Sequence, residues 1–340
     1  MLLNTDYITP IELTGYVRQA FADLQVNQFT LSRYLPNNIV DDIDFRAVRG
    51  GAGLVEAGEF RSYDTESPIG ARQGITRISG ELPPLSRKIR LGEYDRLRTR
   101  KLDTRIRDSI LNDALTMTRS LSARMELARA AALVNGTVTI NENGLANFTV
   151  DFGRKGSHTV TAATLWTDPA ATPITDLMSW KKTFVASNGE QPGVMVTSDR
   201  VLALLMQNGQ VRNLVYPGAN QPAIVTQDAL MNVLRAFGLP PIELYDAQVS
   251  VNNTAQRVIA DDKVLLLPSP GGSSQLGETQ WGTTAESLEP EYGLAGTENA
   301  PGVVGGAYST KDPVAVWTKA AAIGLPLLIN PDLSFVADVA

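Results

Sequence analysis

Residues able to do chemistry are few in this chain, and they do not converge. His158 is the single histidine among 340 residues, and cysteine is absent. One histidine excludes a multi-histidine metal site, and any histidine general base would rest on this residue alone. Placed between Ser157 and the strand-like Thr159-Val160-Thr161, it reads as a surface histidine. Without cysteine, disulfides, thiolate nucleophiles and cysteine metal sites are excluded. The acidic knot Asp41, Asp42, Asp44 and the pair Asp261, Asp262 carry oxygen ligands for a hard cation, but neither has the spacing of a calcium loop. Both read as solvated loop carboxylates. Gly51-Ala52-Gly53 imitates the start of a dinucleotide loop, yet Glu56 stands where the third glycine belongs, so a hinge is the better reading. No P-loop and no nucleophile elbow occurs. No catalytic residue, metal or cofactor is assigned, and the chain reads as a non-enzyme.

The elements that would position any site are organised around Asp103–Asn135, a stretch without proline or glycine. Leu102, Ile106, Ile110, Ala114, Met117, Leu121, Ala128 and Ala132 recur at spacings that keep them on one helical stripe. Asp103 is placed to cap the start and Gly136 to end it in a left-handed turn. Such a helix would be about 50 Å long. The charges beside the stripe, including Arg105, Asp108, Arg124, Glu126 and Arg129, are mixed in sign and follow no heptad, so the helix reads as a spine across other layers, with those charges solvated or paired between subunits.

Before the spine, Thr9 and Glu12 form a capping box for a helix over 9–26, with Leu13, Val17, Phe21 and Leu24 on one face. An irregular arm follows over Leu31–Phe45. After the spine come strands at 138–140, 147–152 and 159–161, with Asn143-Gly144 as a hairpin signal. Helices at Thr175–Ser187, Asp199–Gln207 and Thr226–Phe237 then alternate with strands at 193–196, 242–245, 257–260 and 264–267. Residues 268–306 read as a Gly/Ser/Pro-rich loop, and strands return at 315–318, 320–328 and 335–337.

Residues 46–95 have another texture. Glu59–Tyr63 and Ile75–Gly80 read as the two strands of a ribbon with too few large apolar residues to build its own core. It must lie on something else, either this subunit or a neighbour. Its charged and aromatic residues Glu59, Phe60, Arg61, Tyr63, Arg72, Arg77, Arg87 and Arg90 are the candidates for inter-subunit contact. The chain carries 36 acidic and 30 basic residues, net −6, so its surface does not advertise nucleic-acid binding. The N-terminus lacks signal-peptide features and no apolar run spans a bilayer, which points to a soluble protein made in the cytosol.

The order of arm, ribbon, spine, strands, α/β block and return strand resembles the HK97-like major capsid fold of tailed phages, an α+β architecture. The text itself resembles the lambda-type branch, the phage major capsid protein E family. The carriers are Gly58-Glu59-Phe60-Arg61-Ser62, Val150-Asp151-Phe152-Gly153-Arg154, and Trp166 with Asp168-Pro169 and Pro173-Ile174-Thr175-Asp176. At the C-terminus they are Asp312-Pro313, Leu325-Pro326-Leu327-Leu328 and Pro331-Asp332-Leu333-Ser334-Phe335-Val336. The resemblance implies an N-terminal arm (1–45), an extended loop (46–100), a peripheral domain with the spine (101–170 and 307–340) and an axial domain (171–306). It also implies hexamers and pentamers in an icosahedral shell around double-stranded DNA bound without sequence specificity, and no membrane. The implied partners are a scaffolding protein, a portal and a cement or decoration protein. The subunit would be a virion component made in the host bacterial cytoplasm. With only about 45 residues before the ribbon, the scaffold is expected as a separate protein, because some relatives carry it as a fused helical segment of roughly a hundred residues. Two other readings compete: an encapsulin-like cellular nanocompartment shell, and a carboxylate-based α/β enzyme.

Overall fold

The computed structural model describes residues 3, 5, 7–23, 29–49, 57, 60–66, 76–99, 103–142, 145–218, 221–272, 276–295 and 301–340. In chain order its elements are α1 (Pro10–Asp23), β1 (Asn37–Ile39), β2 (Asp44–Arg49), β3 (Thr76–Glu81), β4 (Pro84–Leu91), α2 (Glu93–Thr99), α3 (Asp103–Asn135), β5 (Thr137–Glu142), β6 (Leu145–Asp151) and β7 (Thr159–Thr161). They continue as α4 (Pro173–Asn188), β8 (Val194–Thr197), α5 (Asp199–Gln207), α6 (Gly209–Val215), α7 (Gln227–Ala236), β9 (Ile242–Leu244), β10 (Gln248–Val251), β11 (Thr254–Arg257) and β12 (Lys263–Leu267). The last are β13 (Gly277–Trp281), α8 (Ala285–Leu288), β14 (Val304–Lys311), β15 (Val314–Leu328) and β16 (Phe335–Asp338). Two compact units result: Met1–Arg46 with Ser79–Ala132 and Glu278–Leu327, and Ala47–Ile78 with Leu133–Gly277 and Leu328–Ala340.

The first unit is built on β15. It pairs antiparallel with β14, from Val314↔Lys311 to Ala321↔Val304, and with β4, from Val316↔Leu91 to Ile323↔Pro84. β13 continues this sheet and β1 adds to it in parallel. Val316, Ala320 and Ala322 share one face by strand alternation. They pack with Leu13 and Val17 of α1 and with Ile106, Ile110, Ala114, Met117, Leu121 and Met125 of α3. Small strand residues let α1 come close. The Thr14 hydroxyl donates to the Gly305 carbonyl at 3.0 Å, and a Cβ on Gly305 would stand 3.0 Å from Val17. The capping box forms as expected: the Thr9 amide donates to Glu12 and the Glu12 amide to Thr9 Oγ1.

The spine is one helix of 33 residues, and Gly136 follows it at φ 69°. Its buried stripe runs through Ile106, Ile110, Ala114, Met117, Leu121, Met125, Ala130 and Ala132, while Ala128 is half-buried and packs at the margin. Leu102 and Leu24 lie outside the described residues. Glu126 and Arg129, read from sequence as solvated or inter-subunit charges, are buried.

The second unit holds a mixed sheet of order β7-β16-β12-β8-β9. β12 runs antiparallel to both β16 and β8, whereas the outer pairs β16–β7 and β8–β9 are parallel. β8 is buried throughout and β12 nearly so, matching the continuous runs Val194–Val196 and Val264–Leu267. α4 buries Leu177, Trp180 and Phe184, and Ser198 caps α5 by accepting from the Val201 amide. The hairpin β5–β6 forms, with Asn143-Gly144 outside the described residues.

Four features depart from the sequence reading. The ribbon pairs β3 with β2, and Phe60–Tyr63, the described part of the other expected strand, takes no part in it. Phe60–Ser62 has no strand, and Tyr63 and Asp64 form a turn with Asp64 at φ 60°. The turn is satisfied locally: the Thr65 hydroxyl donates to the Ser62 carbonyl and the Arg61 guanidinium to the Thr65 carbonyl. Phe45 anchors β2 instead, buried against Gly80, where a Cβ would meet its ring at 2.9 Å. Within the expected loop 268–306 lie β13, α8 and the start of β14. β7 and β16 pair into the sheet of β8 and β12 rather than with the strands of 307–328. Finally, β10 and β11 make a hairpin through Asn252 and Asn253, both at positive φ.

Candidate assembly surface

The candidate contact residues fall into three groups. Glu59 and Arg72 lie outside the described residues, as does the side chain of Arg77 on β3. Phe60 and Tyr63 are fully exposed, at 106% and 98%, on the loop whose turn Arg61 holds. Rings of that size gain substantially from leaving water.

Arg87 and Arg90 sit on β4, where alternation turns them to opposite faces. Arg87 donates to Ser120 Oγ of the spine at 2.8 Å, so it serves its own subunit. Arg90 lies across from Trp317, which in turn lies across from Tyr308. The guanidinium stands 5.9 Å from the Trp317 ring centroid, and Lys88 Nζ stands 4.8 Å from it. Trp317 and Tyr308 stack at 6.4 Å and 11°. Lys88 pairs in register with Lys319, whose ammonium bonds Glu286. Lys88 and Arg90 are exposed, and among the described residues neither meets a carboxylate. The outcome is a cationic, aromatic face on a rigid sheet. Strand alternation in Val316-Trp317-Thr318-Lys319 was the signal that could have found it.

Chemistry of other kinds is not assembled among the described residues. Among the described residues, no three His, Cys, Asp or Glu side chains gather to hold a metal ion. Asp261 pairs with Arg200 at 3.1 Å and Arg257 at 3.8 Å, and Asp262 with Lys263 at 3.6 Å. Asp42 Oδ1 accepts from the amides of Ile43 and Asp44, shaping a tight turn. Gly51–Gly53 lie outside the described residues. No helix among the described residues is long and apolar enough to cross a membrane.

His158 corrects the sequence reading. It is wholly buried beside Phe335 and Phe184, with Nε2 2.9 Å from Ser187 Oγ. Burial pushes its pKa below the ordinary histidine value, Asp332 and the Ser334 backbone act in the opposite sense, and Lys155 and Arg154 add to the lowering. Nearby, Arg154 donates to the carbonyls of Leu133 and Val134 at 2.7 and 2.5 Å, closing the last turn of α3. Burial lowers its pKa to about 10, with Asp332 opposing.

A buried polar network also escaped the sequence reading. Glu126 accepts from the Leu31 amide at 2.9 Å and from Arg129 at 3.1 Å. Arg129 donates further to Thr279 Oγ1 at 2.9 Å and Asn37 Oδ1 at 2.6 Å, and Trp281 Nε1 donates to that same oxygen. Arm, spine and β13 are thereby joined by one ion pair. The spacing of 126 and 129 was visible, but a pair at i,i+3 looks the same whether solvated or buried.

Against known proteins, the sequence pattern of the family described as phage major capsid protein E matches residues 10–339. No curated protein matches the chain in sequence. Among solved structures, one assigned as a prophage capsid protein of Escherichia coli CFT073 superposes with a TM-score of 0.64 at 12% identity, covering 98% of this chain and 99% of that one. A phage-related protein of Bordetella bronchiseptica RB50 gives 0.56 at 13% identity, with 96% of each chain covered. A virus-like particle of Pyrococcus furiosus gives 0.50 at 13% identity, covering 95% and 98%.

Proposed function

The chain belongs to the phage major capsid protein E family and has an HK97-like capsid fold, and from that premise we propose that its copies form hexamers and pentamers of an icosahedral shell enclosing double-stranded DNA. As a phage major capsid protein it is a structural component of the virion, assembles with itself, and belongs to a family that is structural rather than enzymatic. The observation that carries the finer reading is the family match over residues 10–339. The exposed Phe60 and Tyr63 support it, because a loop with no core of its own gains burial only on another surface.

Within this reading, the unit built on α3 and β15 takes the peripheral role and the unit built on β8 and β12 the axial role. The Phe60–Glu66 loop belongs to the extended loop that reaches a neighbour, together with Glu59, Arg72 and Arg77. Arg90 contributes to an outward face, and Arg87 acts mainly within its own subunit. Assembly uses a separate scaffolding protein, a portal and a cement protein, and takes place in the host bacterial cytoplasm. The net charge of −6 suits a wall that holds DNA by confinement rather than by counterion release. Electron microscopy and size-exclusion chromatography of the chain co-expressed with a scaffolding protein test this. Closed shells of uniform size are expected. A monomer under all conditions would refute it.

A further inference from the structure

The Lys88–Arg90–Trp317–Tyr308 face has charge that the described residues of its own chain leave unanswered. Lys88 stands directly across from Lys319, an arrangement that disfavours both, and among the described residues only Lys319 of the two has a carboxylate partner, Glu286. The opposite imbalance exists at Asp41-Asp42-Ile43-Asp44. All four residues are exposed, Ile43 at 52%, and no cation pairs with the three carboxylates among the described residues. The knot is held rigidly. The Leu82 amide donates to the Ile43 carbonyl at 2.8 Å, Asp42 accepts from two amides, and Asp41 accepts from Thr283.

The two features cannot satisfy each other within one chain. The knot lies beside Leu82 and Gly282, at the Pro84–Ile323 end of the sheet. Lys88 and Arg90 lie four and six residues further along β4, roughly 13 and 20 Å away at the rise of a strand. That is beyond an ion pair. Both sit on ordered backbone, so little freedom would be lost when they meet.

We propose that the Trp317 face docks a second copy of this chain through that copy's Asp41–Asp44 knot, with carboxylates on Lys88 and Arg90 and Ile43 against the aromatic pair. The proposal rests on the capsid reading and adds to it a specific contact. Face and knot are different patches, so the contact is heterologous and propagates from copy to copy, as ring closure in a shell demands.

Trp317 offers the readout. Trp166, Trp180 and Trp281 are buried, so it is the one tryptophan of the four that solvent reaches. Acrylamide quenching of tryptophan fluorescence should fall at least twofold when wild-type protein assembles. Lys88→Glu/Arg90→Glu and Asp42→Lys/Asp44→Lys should each reduce shell yield at least tenfold while keeping the circular-dichroism melt of the unassembled protein. The four substitutions together should restore shells. Should reversal disturb the sheet, Lys88→Gln/Arg90→Gln serves instead, and should weaken the salt dependence of assembly expected of the wild type between 0.1 and 1 M. Normal shells from both reversed variants would overturn the proposal, as would failure of the combined variant to recover. Protection of Trp317 by short duplex DNA at physiological salt, with no protection on assembly, would also overturn it and assign the face to nucleic acid. Wild-type protein that never assembles would remove the capsid reading and this contact together, whereas the other adverse outcomes leave that reading standing.

Discussion

Protonating His158 would place a charge between Phe184 and Phe335 in a site sealed from water. The fold therefore favours the neutral ring, and the folded pKa lies below the ordinary value near 6.5. A group whose folded pKa is depressed releases its proton more readily in the native state. Its contribution to stability is complete above the unfolded pKa and is lost as pH falls from there towards the folded value. The melting temperature should thus drop between pH 7 and pH 5, and His158→Gln, which keeps a polar partner for Ser187, should flatten that drop. Equal slopes in the two proteins would show that His158 does not titrate in this window. Arg154 poses a different problem at the same scale. Removing it with Arg154→Ala strips two charge-assisted bonds from the carbonyls closing α3 and should cost about 2–4 kcal/mol in chemical denaturation. Gly136→Ala should also destabilise, because φ is 69° and the new Cβ would stand 3.1 Å from Arg154 Cβ.

Among the elements, the spine was the most legible, and its margins were the least. Period and the closing glycine placed Asp103–Asn135 and Gly136 correctly because these signals are local. Which alanines face the core is decided by the sheet beneath, and the stripe runs through Ala130 and Ala132 with Ala128 at its edge. Ala132→Glu should accordingly lower stability by several kcal/mol, since a carboxylate there has neither space nor partner, and Ala128→Glu by markedly less. Equal losses would mean that the helix sits otherwise on its sheet. Glu126→Ala should cost about 3–5 kcal/mol, because Arg129 would remain buried without its carboxylate. Glu126→Met/Arg129→Met should recover a good part of that. The same contrast explains the misread strands. β13 is polar in text, Gly277-Glu278-Thr279-Gln280-Trp281, yet Thr279 and Trp281 are buried with hydrogen bonds to Leu35 and Asn37, partners far away in the chain. Phe60–Tyr63 looked like a strand, but a turn closed by its own hydroxyl and guanidinium groups prevails.

At the scale of the whole particle, the question is what holds copies together without disulfides, which the absence of cysteine forbids. A covalent alternative would join a lysine of one copy to an asparagine of a neighbour. It needs a neutral amine in a desolvated pocket near a carboxylate that takes up the proton. Between residues 46 and 100 the only lysine is Lys88. The structure sets it within β4, exposed and over the Trp317 ring. An amine exposed to solvent over a ring lacks the desolvated pocket that attack on an amide requires. Cohesion must then come from buried area and from ion pairs between copies. Denaturing electrophoresis of mature particles should give one band at the mass of a single chain, and shell stability should fall as salt screens the ion pairs. A ladder of detergent-resistant oligomers that Lys88→Ala abolishes would instead place the lysine amine in a dehydrated, proton-accepting contact, which is incompatible with the open face seen here.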